Sequence, residues 1–316
     1  MTSFDFKPAD QPTFYFIGVT TTWSSIMRVF PAWAKHLGLG DCLIRGIDCK
    51  WHDEVEVYRE VVNFLKTDPH SMGALVTTHK LDLLKAARDM FDWLDPYATQ
   101  LDEVSSISKR DGKLRGHAKD PISSGLSFDA IVPGEYWGQS GGEVCLLGAG
   151  GSSLALTIHL LKLPAGMRPA KIHVTNRSEQ RLAEMQAVHA NMKAPIPVEY
   201  CHCPTAADND AVVARLKRGS MVVNATGLGK DAPGSPLTDQ VEFPMNGLVW
   251  EFNYRGELVF LDQAKAQQHR RNLTIEDGWV YFVHGWLSVI AEVFQVDIPA
   301  RGPAFDELCR IAAAAK

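Results

Sequence analysis

Two apolar runs joined through a glycine turn and a helical pattern constrain this chain most. Val144-Cys-Leu-Leu147 runs straight into Gly148-Ala149-Gly150-Gly151-Ser152, and a second run, Lys171-Ile-His-Val-Thr175, ends in Asn176-Arg177-Ser178. Glycines at a strand-to-helix junction let backbone N–H groups approach a pyrophosphate, where unpaired donors and the helix dipole favour an anion. Strand, glycines, helix and second strand in that order read as a dinucleotide-binding unit.

The end of the second run selects the dinucleotide. A chain built for NAD usually places Asp or Glu there, a carboxylate that accepts from the ribose hydroxyls and repels an added phosphate. Asn176 stands at that position, followed by Arg177 and the hydroxyl of Ser178. Arg181 lies one helical turn beyond Arg177, so two guanidinium groups can converge on a 2′-phosphate. The expected cofactor is NADP.

A length of 316 residues fits two domains rather than one core. With 32 basic against 37 acidic side chains, a net charge of −5 and no basic block, nucleic acid is excluded as an expected partner. No apolar run reaches membrane-spanning length, and Met1-Thr-Ser-Phe-Asp-Phe-Lys-Pro8 lacks the regions of a signal peptide, so a cytoplasmic protein is expected. Six scattered cysteines suit reduced thiols. Cys201-His202-Cys203 lacks the ligand spacing of a zinc site and reads as a strand with alternating faces; no metal is expected.

Along the chain, Phe14–Ile17 reads as a strand ending at Gly18, followed by the hydroxyl-rich loop Thr20-Thr-Thr-Trp-Ser-Ser25 and a helix carrying Ile26, Phe30, Trp33 and Leu37. Asp41–Ile47, a helix over Glu54–Lys66, and Gly73–Thr77 opening at His79-Lys80 into another helix continue the alternation, which predicts a parallel sheet. After the turn at Asp111-Gly112, Asp120 is placed to cap a helix with Pro121 in its first turn. Gly219–Gly229 and Leu248–Tyr254 supply later strands, the first of them reaching the cofactor through Asn224-Ala225-Thr226. An apolar helix from Trp279 to Phe294 then returns toward the first domain.

In this order the motifs resemble the shikimate dehydrogenase family over nearly the whole chain. They are Leu75-Val-Thr-Thr-His-Lys80, Gly116-His-Ala-Lys-Asp120, Gly148–Gly151 with Asn176–Arg181, Asn224-Ala-Thr226 and Asp277-Gly278. The resemblance implies an α/β protein with an N-terminal substrate domain over residues 1–119, an NADP-binding Rossmann domain over 120–275, and C-terminal helices over 276–316 packing on the first domain. It implies Lys80 and Asp120 as catalytic residues. By ungapped matching, Ser24 corresponds to one of two serines that the family uses on the substrate carboxylate, while Ile26 replaces the other. Ala74 and Val76 replace an asparagine and a threonine, Ser105 replaces a pocket asparagine, and the glutamine of the last helix falls on Gly285 beside His284. Tyr254 is kept. A site that reads hydroxyls through hydrogen bonds discriminates strongly by them. These departures therefore point to a cyclic hydroxy acid related to shikimate or quinate, and away from shikimate as the preferred substrate.

Oxidising a secondary alcohol requires a base for the hydroxyl proton while hydride leaves carbon. Lys80, near a helix N-terminus that favours the neutral amine, suits the base, with Asp120 accepting from the substrate hydroxyl and orienting it. His79 is read as packing or orienting the loop. Ser24, with Thr22 or Ser25, is placed on the substrate carboxylate; Ser25 is the better helix cap, and Trp23 is either core or pocket wall. The expectation is an enzyme interconverting a cyclic hydroxy acid and its keto acid with NADP, as a monomer or homodimer. The alternatives are a ligand-sensing binding protein that kept the fold and lost turnover, and a relative of methylene-tetrahydrofolate dehydrogenase, which leaves the Asp120 segment unexplained.

Overall fold

In the computed structural model, residues 4, 6–192, 195–230 and 232–315 are described. In chain order they form β1 (Thr13–Gly18), α1 (Ile26–His36), β2 (Leu43–Asp48), α2 (Val55–Thr67), β3 (Ser71–Val76), α3 (Lys80–Ala87), β4 (Trp93–Leu94), α4 (Pro96–Leu101), β5 (Ser106–Arg110) and β6 (Lys113–His117). There follow α5 (Asp120–Ile131), α6 (Tyr136–Ser140), β7 (Val144–Leu147), α7 (Gly151–Lys162), β8 (Ile172–Asn176), α8 (Glu179–Ala190), β9 (Val198–His202), α9 (Ala206–Val213), β10 (Met221–Asn224), β11 (Leu248–Glu251), α10 (Val259–Lys265), α11 (Gln268–Arg271), β12 (Thr274–Glu276), α12 (Trp279–Phe294) and α13 (Pro303–Ala314). They divide into two compact units, Met1–Lys119 with Gly285–Lys316, and Asp120–His284.

The first unit holds a six-stranded sheet in the order β2-β1-β3-β5-β6-β4. It is mixed, which corrects the parallel sheet expected from the strand–helix alternation: β2, β1 and β3 run parallel, but β5 pairs antiparallel with both β3 and β6. The reason is local. Asp111 and Gly112 both take positive φ, 52° and 72°, and close β5 onto β6 in a two-residue hairpin with no crossover helix. Phe14 of β1 meets Phe30 of α1 at 5.4 Å and Phe294 of α12 at 5.7 Å, and Phe16 meets Trp286 at 4.9 Å. Fully burying each such ring contributes roughly 1.5–3 kcal/mol. The indole of buried Trp33 donates to Leu308 O of α13 at 2.9 Å, so no polar atom is stranded there.

The second unit holds a parallel sheet in the order β12-β11-β10-β7-β8-β9. Read from its far edge this is the doubly wound order 3-2-1-4-5-6, and it reverses between β7 and β10, where such sheets bind dinucleotides at the carboxyl ends of the strands. The run Val144–Leu147 is buried throughout because its two faces feed two cores: Val144 and Leu146 pack with Val174, Val223 and Trp250, whereas Cys145 and Leu147 pack with Val222, Val249 and Phe260. No described helix is long and apolar enough to cross a membrane.

Candidate functional site

In the second unit, the carboxyl end of β7 turns at Gly148, whose φ of 103° suits glycine. A Cβ there would stand 3.1 Å from Ala225 O and from Thr226 Cγ2, so the turn lies directly against the end of β10. Gly150 is the N-cap of α7 and has no side chain to cap it, while a Cβ on Gly150 would project into open space. The first-turn N–H groups of Gly151, Ser152 and Ser153 are thus left to an external acceptor. Ala149 N donates to Asn176 Oδ1 at 3.4 Å, and Ser153 Oγ donates back to Gly148 O at 2.5 Å, which pins the turn from both sides. Ser153 is absent from the residues that the sequence pattern singles out, although its place in Gly-Gly-Ser-Ser is the available signal.

Beyond β8, Arg177 is exposed, and its guanidinium has no ion-pair partner among the described residues. Ser178 caps α8 by accepting Arg181 N at 3.4 Å, and Arg181 is paired with Glu184 at 2.9 Å. An open N-terminus above a glycine turn, with an uncommitted arginine one strand over, fits a phosphate-bearing dinucleotide.

Behind this loop lies a carboxylate that is not among the expected site residues. Glu251 ends β11 wholly buried and accepts Asn224 Nδ2 at 2.6 Å, Asn253 N at 2.8 Å and Asn253 Nδ2 at 2.7 Å. Burial nevertheless pushes its carboxyl up to about 7. Tyr254 packs on the α12 aromatics, 4.7 Å from Phe282 and 5.6 Å from Trp279. His284 is buried, and burial drives it down to about 4, so it is neutral at physiological pH.

In the first unit, the loop after β1 is held by Asp48 at the end of β2, which accepts Thr21 N at 2.8 Å and Thr21 Oγ1 at 2.6 Å. Thr22 and Trp23 are exposed, Trp23 at 77%, which corrects its reading as core. Ser24 and Ser25 are buried. Ser25 occupies the N-cap of α1, but no side-chain hydrogen bond forms there: its backbone is already helical, at φ −55° and ψ −28°, and this removes the extended geometry a cap requires. Lys80 is the first residue of α3. His79, immediately before it, is buried and shares a hydrogen bond with Tyr58 Oη at 2.9 Å, and burial lowers its basicity. Ser105 Oγ accepts Lys119 N at 2.7 Å, so this hydroxyl supports the segment leading to Asp120. Asp120 itself is the first residue of α5 in the second unit, inside the helix rather than at the capping position expected just outside it. Ile26, Ala74 and Val76 are wholly buried.

The Cys201-His202-Cys203 segment ends β9, with Cys203 buried and His202 turned outward toward Glu179. Among the described residues, His173, Glu199 and Cys201 come within ligand distance of one another, but the Glu199 carboxylate is already paired with Lys171 and lies 3.5 Å from Arg215.

No family model matches the sequence. The chain is 30% identical over 216 residues to a shikimate dehydrogenase (NADP(+)) of Symbiobacterium thermophilum, an alignment covering 68% of each protein. Its fold superposes on the crystal structure of shikimate dehydrogenase from Aquifex aeolicus with a TM-score of 0.72, covering 98% of this chain and 99% of that one at 18% identity. It also superposes on quinate dehydrogenase from Corynebacterium glutamicum in complex with NAD, with a TM-score of 0.71, 96% and 99% coverage and 19% identity. The glycine turn against β10, the doubly wound sheet and the relative across two thirds of the chain agree: this chain belongs to the shikimate dehydrogenase family.

Proposed function

We propose that this protein interconverts a ring-borne secondary alcohol and its ketone in a carboxylated substrate, with Lys80 moving the proton. NADP, when bound, supplies or takes up the hydride. The glycine turn and the first-turn N–H groups of α7 hold its pyrophosphate, and Arg177 holds its 2′-phosphate. Asn176 leaves that phosphate unopposed by any carboxylate at the strand end. Ala225 and Thr226 support the turn from the end of β10.

Lys80 begins α3; its amine, when neutral, accepts the hydroxyl proton in oxidation and returns it in reduction. Asp120 accepts a hydrogen bond from a substrate hydroxyl and orients Lys80. Ser24 and Thr22 hold the carboxylate. Tyr254, His284 and Ser105 complete the substrate-binding set, with Ser105 supporting Lys119 N. All six cysteines are free, in keeping with reduced thiols and a cytoplasmic setting. The net charge of −5 gives no basis for a nucleic-acid partner, and the protein works as a monomer or homodimer.

The observation that carries this reading is the open N-terminus of α7 above Gly148 and Gly150, next to the uncommitted Arg177. The test follows NADP⁺ reduction with a panel of cyclic hydroxy acids. Turnover on at least one of them, lost in Lys80→Ala, is expected; no turnover on any, alongside measurable NADP⁺ binding, would overturn the enzymatic reading.

A further inference from the structure

Glu251 is an expensive residue to bury. It is fully enclosed at the carboxyl end of β11, in the apolar run Leu248-Val-Trp-Glu251, and no arginine or lysine forms an ion pair with it among the described residues. The charge of Lys230 acts on it and favours the ionised form, but a carboxylate buried in such a place persists only when N–H donors replace water. The two asparagines provide them, and each does something else as well.

Asn224 gives its Nδ2 to Glu251 Oε2, which leaves its Oδ1 to accept both Thr226 N at 3.0 Å and Thr226 Oγ1 at 2.6 Å. Asn253 gives its backbone N and Nδ2 to Glu251 Oε1, and the same Nδ2 donates to Thr226 O at 3.1 Å. Thr226 is therefore gripped at its amide, hydroxyl and carbonyl by two amides whose orientation one carboxylate sets. Thr226 Cγ2 and Ala225 O in turn form the wall against which Gly148 of the dinucleotide turn is packed. The chain of contacts runs from Glu251 through Asn224 to Thr226 and then to Gly148, all within one unit.

We propose that Glu251 is the positioning residue of the cofactor site: by accepting at Oε2 from Asn224 and at Oε1 from Asn253 it fixes the orientation of both amides, and through Thr226 it holds the glycine turn in the shape that receives the dinucleotide phosphates. The inference rests on the reading of that turn as the NADP site. The requirement is for the pattern of donors and acceptors, not for a negative charge at position 251 as such. Glu251→Gln keeps size and shape but presents an NH₂ to Asn224 Nδ2, donor against donor. Asn224 then turns over, and Thr226 loses its acceptor. Asn224→Asp sets two carboxylates against each other. The double variant Glu251→Gln/Asn224→Asp restores the pattern in reverse. The amide nitrogen introduced at position 251 donates to one oxygen of the carboxylate introduced at position 224, whose other oxygen still accepts Thr226 N and Oγ1. The amide oxygen at position 251 still accepts from Asn253.

The experiment measures NADP⁺ binding by calorimetry and amide exchange over residues 148–153 and 226–229 by mass spectrometry, for the full chain and all three variants, with thermal unfolding alongside. Each single variant is expected to weaken NADP⁺ binding roughly ten- to a hundredfold and to speed exchange in both segments. The double variant is expected to recover binding to within about threefold of the parent, where one mispaired group no longer counts against it. Parent-like binding and exchange in Glu251→Gln would overturn the proposal, as would a double variant that folds but binds no better than the single ones. Should either single variant fail to fold, a folded, NADP⁺-binding double variant supports the proposal, and a double variant that does not fold counts against it. A parent chain that binds no NADP⁺ would refute the cofactor reading instead, and the exchange of residues 148–153 across the variants would still decide whether Glu251 sets the turn.

Discussion

The hydroxyl of Ser178 accepts the backbone N–H of Arg181 and caps α8. This fixes where the two arginines of the Asn176–Arg181 segment stand. Arg177 precedes the cap and is exposed, whereas Arg181 follows it inside the helix and is occupied by Glu184 at 2.9 Å. The two therefore differ in availability to a phosphate. Arg177→Ala should weaken NADP⁺ binding by about 1.5–3 kcal/mol, the worth of a charge-assisted contact, and leave NAD⁺ nearly unaffected. Arg181→Ala should cost less, because breaking its exposed pair with Glu184 offsets part of the gain. Titration of both cofactors against both variants checks this; equal losses for NADP⁺ and NAD⁺ in Arg177→Ala would place the phosphate elsewhere.

Lys80 stands at the start of α3 in the first unit, while the glycine turn belongs to the second. Removing its amine should therefore separate chemistry from cofactor affinity. Lys80→Ala is expected to lower kcat by roughly 10² to 10⁴, the range for loss of one acid–base group, with the NADP⁺ dissociation constant unchanged. Single-turnover kinetics read the first quantity and calorimetry the second. Unchanged kcat would remove Lys80 from the mechanism.

His189 is buried between two hydroxyls, Thr157 Oγ1 and Tyr200 Oη, each 2.7 Å from a ring nitrogen, and burial drives it down to about 4. The unfolded chain takes up this proton near pH 6.5 and the folded chain only near 4. Stability from the neutral ring is therefore fully present above about pH 6.5 and is lost as the pH falls through 4, by about 3 kcal/mol in the limit. Glu251 has the opposite sign. With its carboxyl raised to about 7, its contribution is largest in acid and declines as the pH rises from its unfolded value toward 7. Urea midpoints at pH 7 and 4.5 should fall less for His189→Gln, which keeps a donor and an acceptor but does not titrate, than for the parent. Identical slopes would show that His189 is not what makes the fold acid-sensitive.

What is legible in the sequence is local. Val144–Leu147 with the glycines, and Asn176–Ser178 after the second strand, are short runs whose backbone requirements are written in residue type, so the dinucleotide turn and its neighbouring strand are readable. The β5–β6 hairpin is half readable: Asp111-Gly112 marks the turn, but its effect on strand direction in the sheet depends on which edge β5 joins. Ser25 shows the limit of a propensity, since the right residue at the N-cap makes no cap when its backbone is already helical. Glu251 is not legible as a buried acceptor, because the donors that make it tolerable include Asn224, 27 residues away in sequence. A carboxylate in an apolar strand reads locally only as a break in the run.

Ile26, Ala74 and Val76 are wholly buried, so these positions supply packing and no hydrogen-bonding group to a substrate ring. Gly285 is different: it lies inside α12, and a Cβ built there meets nothing within 4 Å. Glycine within a helix costs roughly 0.8–1 kcal/mol relative to alanine, and here no close contact requires it. Gly285→Gln should thus fold with equal or higher thermal stability and offer an amide where the parent offers none. A buried ring hydroxyl without a partner costs about 1–3 kcal/mol, so the parent should show its highest kcat/KM on a carboxylated ring with fewer hydroxyls than shikimate or quinate. Gly285→Gln should shift that preference toward the more hydroxylated rings, mainly through KM. Kinetics of both proteins on shikimate, quinate and less hydroxylated analogues decide the matter: a parent enzyme whose kcat/KM is highest on shikimate would show that the missing polar side chains do not set its choice of substrate.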